Sequence, residues 1–455
     1  MLFRSQQLGL NASRFGIAWA RVQPAGRGQW NAKGLEFYDR LIDALVAAGI
    51  TPLVTLCHYD VPQALVERGG WINRDMTGWF ADYAHAMAAR YGDRVRWWAT
   101  LNEPICIADG FVPAPGDPKD LAAVQHHLLL AHGRGVQAIH AANSTLKAGL
   151  VTCLWPAHAG QPALATKPGE RLQFASSAGE TAGSFTPADA AEAVRQADVA
   201  MNRAFLDPIY LGRYPQEILD APVARPIREG DMAIIGTRPD FMGINYYSRV
   251  VAAPTRRPDG GIGWRWVGPA ERGAPRTTMG WEIYPPGLHE IILTVHRDYG
   301  APEIVITENG IAHEDQVSPD GRIRDDYRRD YLLEHLEQIH RALADGVKVR
   351  GNAQHVFEKY QQLARDATSA GDRVLAENYL QHAEHYFRLI ASAQEQFRQN
   401  NPHLQRPEND MPGGMRDDMF DDGPEEDESE DEGSSAKMLD RRPNSPEILM
   451  NNLRG

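Results

Sequence analysis

Cysteine is scarce in this chain, with three in 455 residues: Cys57, Cys106 and Cys153. An odd, scattered set excludes a disulfide scaffold and has no zinc-ligand spacing, so a reducing compartment is favoured. No apolar run approaches the length of about 18 residues that a membrane-spanning helix needs. Met1-Leu2-Phe3-Arg4-Ser5 opens no apolar stretch of signal-peptide length. A soluble, cytoplasmic protein with no membrane partner is the expectation. Basic excess is missing too, with 47 Lys and Arg against 60 Asp and Glu. Eleven of the acids fall between Asp417 and Glu432 with no basic residue among them, and they account for all but two of the formal charges of −13. The body is therefore near neutral and presents no basic face for nucleic acid.

What is present is ordinary globular composition, 43% hydrophobic and 24% charged, enough for one large core. The organising stretch is Trp98-Ala-Thr-Leu-Asn-Glu-Pro104. Thr100 and Leu101 suit a buried strand, Pro104 cannot continue it, and Asn102 and Glu103 should stand at its C-terminal rim. Glu303-Ile-Val-Ile-Thr-Glu-Asn-Gly310 repeats the arrangement, so Glu103 and Glu308 form a candidate acid/base pair. The pattern around them alternates. Strands are predicted at 12–18, 50–57, up to Glu103, 148–154, 240–247 and 304–307. Helices are predicted near 32–48, 75–91, 121–141, 188–205, 287–299 and 327–344, and a long loop with Trp264, Trp266 and Trp281 precedes the fifth of these. In the first helix Leu35, Tyr38, Leu41, Ile42 and Leu45 recur at intervals of three and four, and Gly49 sits where a cap belongs. Six strands alternating with helices demand a parallel sheet with helices outside it, in the α/β class.

Plainer readings carry weight residue by residue. A lone strand-end glutamate before Pro or Asn-Gly is more often a turn residue than a catalyst. His58 alone suits a hydrogen-bonded core histidine, and Arg14 a structural partner for any buried carboxylate. The adjacent His126 and His127 point different ways on a helix and are read as structural. Cys57 beside His58 makes a poor thiol dyad, because strand neighbours face opposite sides.

The ordered set of motifs resembles glycoside hydrolase family 1, the β-glucosidase family of (β/α)₈ barrels. It is carried by Ser13-Arg-Phe-Gly-Ile-Ala-Trp-Ala-Arg21, Leu56-Cys-His-Tyr-Asp-Val-Pro-Gln-Ala-Leu65, Thr100-Leu-Asn-Glu-Pro104, Gly243-Ile-Asn-Tyr-Tyr247, Gly280-Trp-Glu-Ile-Tyr-Pro285 and Ile306-Thr-Glu-Asn-Gly310. The resemblance spans residues 1–347 and implies a retaining glycosidase that cleaves terminal β-glycosidic bonds by double displacement, with no cofactor and no metal. It implies Glu103 as acid/base and Glu308 as nucleophile, with Arg14 beside Glu308 to hold it ionised. By the same resemblance Asn102 meets the sugar 2-hydroxyl, Tyr247 orients the nucleophile, His58 and Asn245 complete polar contacts around the ring, and Trp281 offers an apolar surface to the aglycone. Tyr59 stands where the family usually has tryptophan. Strands two to seven of the barrel are recognisable; the motifs of the first and last are not, so an incomplete barrel with two open edges is expected.

From Gly351 the pattern changes. Residues 353–368 and 373–397 read as two helices around a turn at Ser369-Ala-Gly-Asp372. This hairpin at 348–400 resembles a small bacterial domain of unknown function, and its exposed faces suggest a protein partner or self-association. His382 and His385 on it are read as a solvated face. Residues 401–455 read as a disordered acidic tail. The rival to an active glycosidase is a non-catalytic fusion or truncated chain whose hairpin and tail act as an interaction module.

Overall fold

The computed structural model describes residues 10–108, 118–160, 185–300 and 303–347, with a few isolated positions between Arg365 and Glu384. Six parallel strands form its main sheet: β1 (Ala12–Gly16), β2 (Thr51–Cys57), β3 (Trp97–Asn102), β4 (Lys147–Cys153), β6 (Phe241–Asn245) and β9 (Ile304–Glu308), in the spatial order β1-β2-β3-β4-β6-β9. Between them run α1 (Ala32–Ala47), α2 (Met76–Tyr91), α3 (Pro118–Ala142), α4 (Pro187–Asp198), α5 (Ala204–Tyr210) and α6 (Pro286–Tyr299), with α7 (Asp326–Ala344) after β9. These are the expected strands and helices, with ends displaced by a few residues. Parallel strands joined by helical crossovers have both faces covered, which explains why β2, β3 and β4 are almost wholly buried.

The sheet is curled, and side chains prove it. Five inter-strand steps of about 4.8 Å would put β1 and β9 roughly 24 Å apart in a flat sheet. Yet Arg14 of β1 and Glu308 of β9 are 2.7 Å apart. Leu53, Trp97, Ala99, Val151, Phe241 and Val305, drawn from five strands, pack into one cluster inside the curl. Gly243 leaves room for that interior: a Cβ there would lie 2.7 Å from Val151 Cγ2 and 2.9 Å from Thr307 Cγ2. Outside, Tyr38 and Ile42 of α1 and Phe80, Tyr83 and Met87 of α2 share a second core with Val54, Leu56 and Trp98. Leu288, Ile291, Ile292 and Val295 of α6 cover β6 and β9. Gly49 follows α1 with φ 71°, the left-handed residue that ends the helix. Among the described residues β1 and β9 are the outer strands of the sheet.

Three readings need correction. The segment read as a long loop after β6 contains a hairpin, β7 (Val250–Arg256) and β8 (Ile262–Trp266), to which β5 (Ala157–Ala159) adds a parallel strand. The single helix expected at 188–205 is instead α4, a wider turn at Val199–Arg203 and α5. Thr186 and Asp189 start it with a reciprocal capping box. Ser369, placed in a turn, is helical and donates from Oγ to the Arg365 carbonyl (2.9 Å). The rest of the hairpin, His382 and His385 included, and the 401–455 tail lie outside the described residues.

His126 is structural as expected. Its Nδ1 pairs with the Tyr214 hydroxyl (2.9 Å) and its Nε2 with Asp231 (2.9 Å), while His127 Nδ1 meets the Trp71 carbonyl (2.9 Å). Asp231 also accepts from Arg74 and from the Arg228 amide (2.8 Å), and its side chain is 2% exposed. Burial raises its pKa, but Arg74, His126 and Arg228 outweigh burial and hold it below the usual carboxylate range. Asp231→Asn is expected to destabilise the fold by about 3 kcal/mol, read from denaturant unfolding, because it leaves the half-buried Arg74 without its counter-charge. With the folded pKa depressed, this stability is present above the unfolded value of about 4 and lost as pH falls through the folded one. The variant should lack that part of the acid sensitivity; equal stability of parent and variant at neutral pH would refute the assignment.

Candidate active site

Both strand-end glutamates are reached through a one-residue slip in the ladder. Ala99 pairs with Gly149, but the next partners are Asn102 and Val151, so β3 carries an extra residue. Ile244 pairs with Ile306, and then Asn245 with Glu308, so β9 does the same. A bulge bends its strand and re-aims the side chains beyond it. Here the glutamates stand at the bulges. Glu103 itself is left-handed (φ 46°, ψ 68°) and precedes the short helix Pro104–Cys106.

At the rim the glutamates are joined through one hydrogen-bond network. The Arg14 guanidinium donates to Glu308 Oε1 from Nη1 (2.7 Å) and Nη2 (2.8 Å), to Asn102 Oδ1 from Nη2 (2.5 Å), and to Thr55 Oγ1 from Nε (3.3 Å). Tyr247 donates its hydroxyl to Glu308 Oε2 (2.6 Å). Asn245 Nδ2 donates to Glu103 Oε1 (2.7 Å) and reaches Asn102 Oδ1 (3.3 Å), while Thr307 fixes Asn245 by donating to its Oδ1 (2.6 Å). Tyr59 donates its hydroxyl to Glu103 Oε2. Glu103 is 6% exposed, and Asn102 and Asn245 are fully buried. Asn102 Nδ2 is buried without a hydrogen-bond partner among the described residues.

The two carboxylates sit in unlike surroundings. Glu308 faces a guanidinium and a phenol; Glu103 faces a phenol and an amide, both neutral. Burial lowers the Arg14 pKa, opposed first by Glu308 and then by Glu103, Tyr247 and Tyr59. Burial, then the charge of Glu308, pushes the Tyr247 hydroxyl well above its ordinary range, so it remains a donor.

The structure brings Arg14, Asn102, Glu103, Asn245, Tyr247 and Glu308 into this network. Trp281 joins by packing: half-buried, its ring lies 5.2 Å from that of Tyr247 and 6.2 Å from Trp155. His58 is exposed at the rim, its ring 4.9 Å from Tyr59. Loss of solvent in the cleft and then the Arg14 charge hold its pKa below the ordinary value, with Glu308 and Glu103 pulling the other way. Cys57 is buried and its thiol is pushed up by desolvation, so it is no nucleophile. Residue reading missed Thr55, Thr307 and the hydrogen bond of Tyr59. The first two had a signal: each is a polar residue within an apolar strand run. Among the described residues no group of three or more His, Cys, Asp or Glu could hold a metal, and no helix is long and apolar enough to cross a membrane.

The family model for glycosyl hydrolase family 1 matches residues 2–358, and one for a domain of unknown function (DUF4167) matches residues 332–396. Similar proteins include β-glucosidase A of Thermotoga maritima, 38% identical over 364 residues (76% of this chain, 73% of that protein), and a β-glucosidase of Agrobacterium sp., 37% identical over 359 residues (76% and 72%). A solved family 1 β-glucosidase of Thermotoga maritima superposes with a TM-score of 0.67 at 36% identity, covering 76% of this chain and 74% of that one. The same enzyme in complex with isofagomine lactam gives 0.66 at 37% identity, covering 76% and 73%. The extent of the family match, the identity and the curled parallel sheet make this chain a member of glycosyl hydrolase family 1, a glycoside hydrolase of the β-glucosidase type.

Proposed function

We propose that the chain hydrolyses terminal β-glucosides with retention of configuration, Glu308 acting as nucleophile and Glu103 as acid/base. The observation that carries this assignment is the unequal treatment of the two carboxylates: a guanidinium donates twice to Glu308, whereas Glu103 takes its hydrogen bonds from neutral groups. A cation beside Glu308 suits the carboxylate that attacks, and the neutral donors around Glu103 suit the one that exchanges a proton with the leaving oxygen and then with water.

In the first step a Glu308 oxygen forms a bond to the anomeric carbon as the glycosidic bond breaks, and Glu103 gives its proton to the departing oxygen. Forming the ester removes the charge of Glu308 and leaves Glu103 as a carboxylate. In the second step Glu103 takes a proton from water as the water oxygen displaces Glu308. Asn102 Nδ2, a buried donor without a partner among the described residues, supports a contact to the sugar 2-hydroxyl, and Asn245 and His58 line the ring. Trp281 offers its half-buried face to the aglycone.

The reading extends to the rest of the chain: a catalytic part at 1–347, a helical module at 348–400 available to a protein partner or a second copy, and a tail at 401–455. The match to the domain of unknown function supports the second segment. Three free cysteines, two of them buried, support a cytoplasmic setting.

The test is trapping. A 2-deoxy-2-fluoro-β-glucoside with a dinitrophenolate leaving group slows both steps but still allows the first, so a glycosyl ester accumulates. Mass spectrometry of the digested chain should map it to the peptide containing Glu308. A stable, folded chain that forms no adduct, or forms it on another carboxyl, overturns the proposal.

A further inference from the structure

Among the described residues, two that are not glycine have positive φ: Tyr59 (75°) and Glu103 (46°). Such a conformation is sterically unfavourable for these residues and persists where its surroundings enforce it. Here the two strained residues lie in different loops and are hydrogen-bonded to each other, Tyr59 donating to Glu103 Oε2. Tyr59 follows β2 and Glu103 follows β3, neighbours in the sheet. The turn after β2 therefore delivers a phenol to the carboxyl that the bulge on β3 has re-aimed. With Asn245 on Oε1, both oxygens of Glu103 are held.

We propose that Tyr59 is a positioning residue for proton transfer, its hydroxyl fixing the Glu103 carboxyl and stabilising the anion left when Glu103 gives up its proton. Burial first, then the charge of Glu103 and their hydrogen bond, push the Tyr59 hydroxyl far above its ordinary pKa, so it remains protonated and a donor throughout the working range. Tyrosine matters at this position because its oxygen lies at the tip of the ring and can donate to a carboxylate along the ring axis. Phenylalanine keeps the ring and loses the donor. A tryptophan would place its N–H on the side of a larger ring system.

The inference rests on the proposed role of Glu103, and two measurements separate the fates of the two ideas. The first compares parent and Tyr59→Phe on an alkyl β-glucoside, whose leaving group needs a proton, and on a dinitrophenyl β-glucoside, whose leaving group does not. Loss of one hydrogen bond to a charged group should lower kcat/KM on the alkyl substrate roughly 10- to 100-fold. On the dinitrophenyl substrate it should fall less than about threefold. Equal losses on both substrates would make Tyr59 merely structural.

The second measurement needs no turnover. In the full chain labelled with 13Cζ-tyrosine, the Tyr59 resonance, assigned by its absence in Tyr59→Phe, should move with pH as Glu103 gains its proton and stay flat in Glu103→Gln. A Tyr59 resonance indifferent to Glu103→Gln overturns the proposal. If the parent cleaves no glucoside while this coupling is present, the hydrolase reading falls and the Tyr59–Glu103 contact stands.

Discussion

Glu308→Ala is expected to lower kcat/KM for an aryl β-glucoside by on the order of 10⁴- to 10⁶-fold, the scale of removing a covalent nucleophile from an otherwise intact site. The reason is specific to the second carboxyl: with Glu308 gone nothing forms the ester, and Glu103 alone cannot supply attack from the opposite face of the sugar. The same substitution disturbs the protein. Arg14 and Glu308 side chains are 6% and 12% exposed. Arg14 would therefore lose a buried counter-charge and two hydrogen bonds. Glu308→Gln separates the two effects, because an amide of the same shape still accepts from Arg14 or Tyr247 but is no nucleophile. Chromophore release should be lost in both variants, and the unfolding midpoint should fall further in Glu308→Ala. Release within about tenfold of the parent in a folded Glu308→Gln would remove Glu308 from the nucleophile's role.

Much of this site was legible because breakers mark strand ends. Pro104 and Gly310 stop two apolar runs beside a glutamate, and a strand end in a parallel barrel is where chemistry is placed. The helices were legible from the spacing of residues such as Tyr38, Ile42 and Leu45, all buried as expected. The bulges were not. Asn102 follows Ala99 by three residues while β4 advances two. That is a property of the pair of strands, and one strand's residue pattern does not contain it. The contact from Tyr59 to Glu103 was hidden for a related reason: it depends on two left-handed backbone turns at residues that ordinarily avoid them. The β7–β8 hairpin is different, for its signal was present. Pro258-Asp-Gly-Gly261 is turn chemistry. Gly260 takes φ 83° there, but the tryptophans and prolines around it suggested a loop.

The second large effect concerns Glu103, and its form should differ from that of Glu308. Glu103→Ala is expected to reduce kcat/KM on substrates with poor leaving groups by roughly 10²- to 10⁴-fold, the range for a general acid. With a dinitrophenolate leaving group the first step needs no proton, so the loss there should be slight. The ester then formed on Glu308 would wait for water that no longer has a base. Turnover should become limited by the second step, with kcat and KM falling in parallel and the ester accumulating. Azide, already an anion, needs no base; it should restore turnover and give β-glucosyl azide, because its attack on the ester inverts the anomeric centre a second time. That product also reports stereochemistry: an α-azide would require direct displacement and exclude the ester, while equal losses for both leaving groups with no azide effect would remove Glu103 from proton transfer. Asn245 and Tyr59, which donate to the two oxygens of Glu103, would lose their acceptor in the variant, so Glu103→Gln supplies the control that keeps the carbonyl oxygen in place. It should show the same dependence on leaving group, since an amide neither donates the required proton readily nor serves as base.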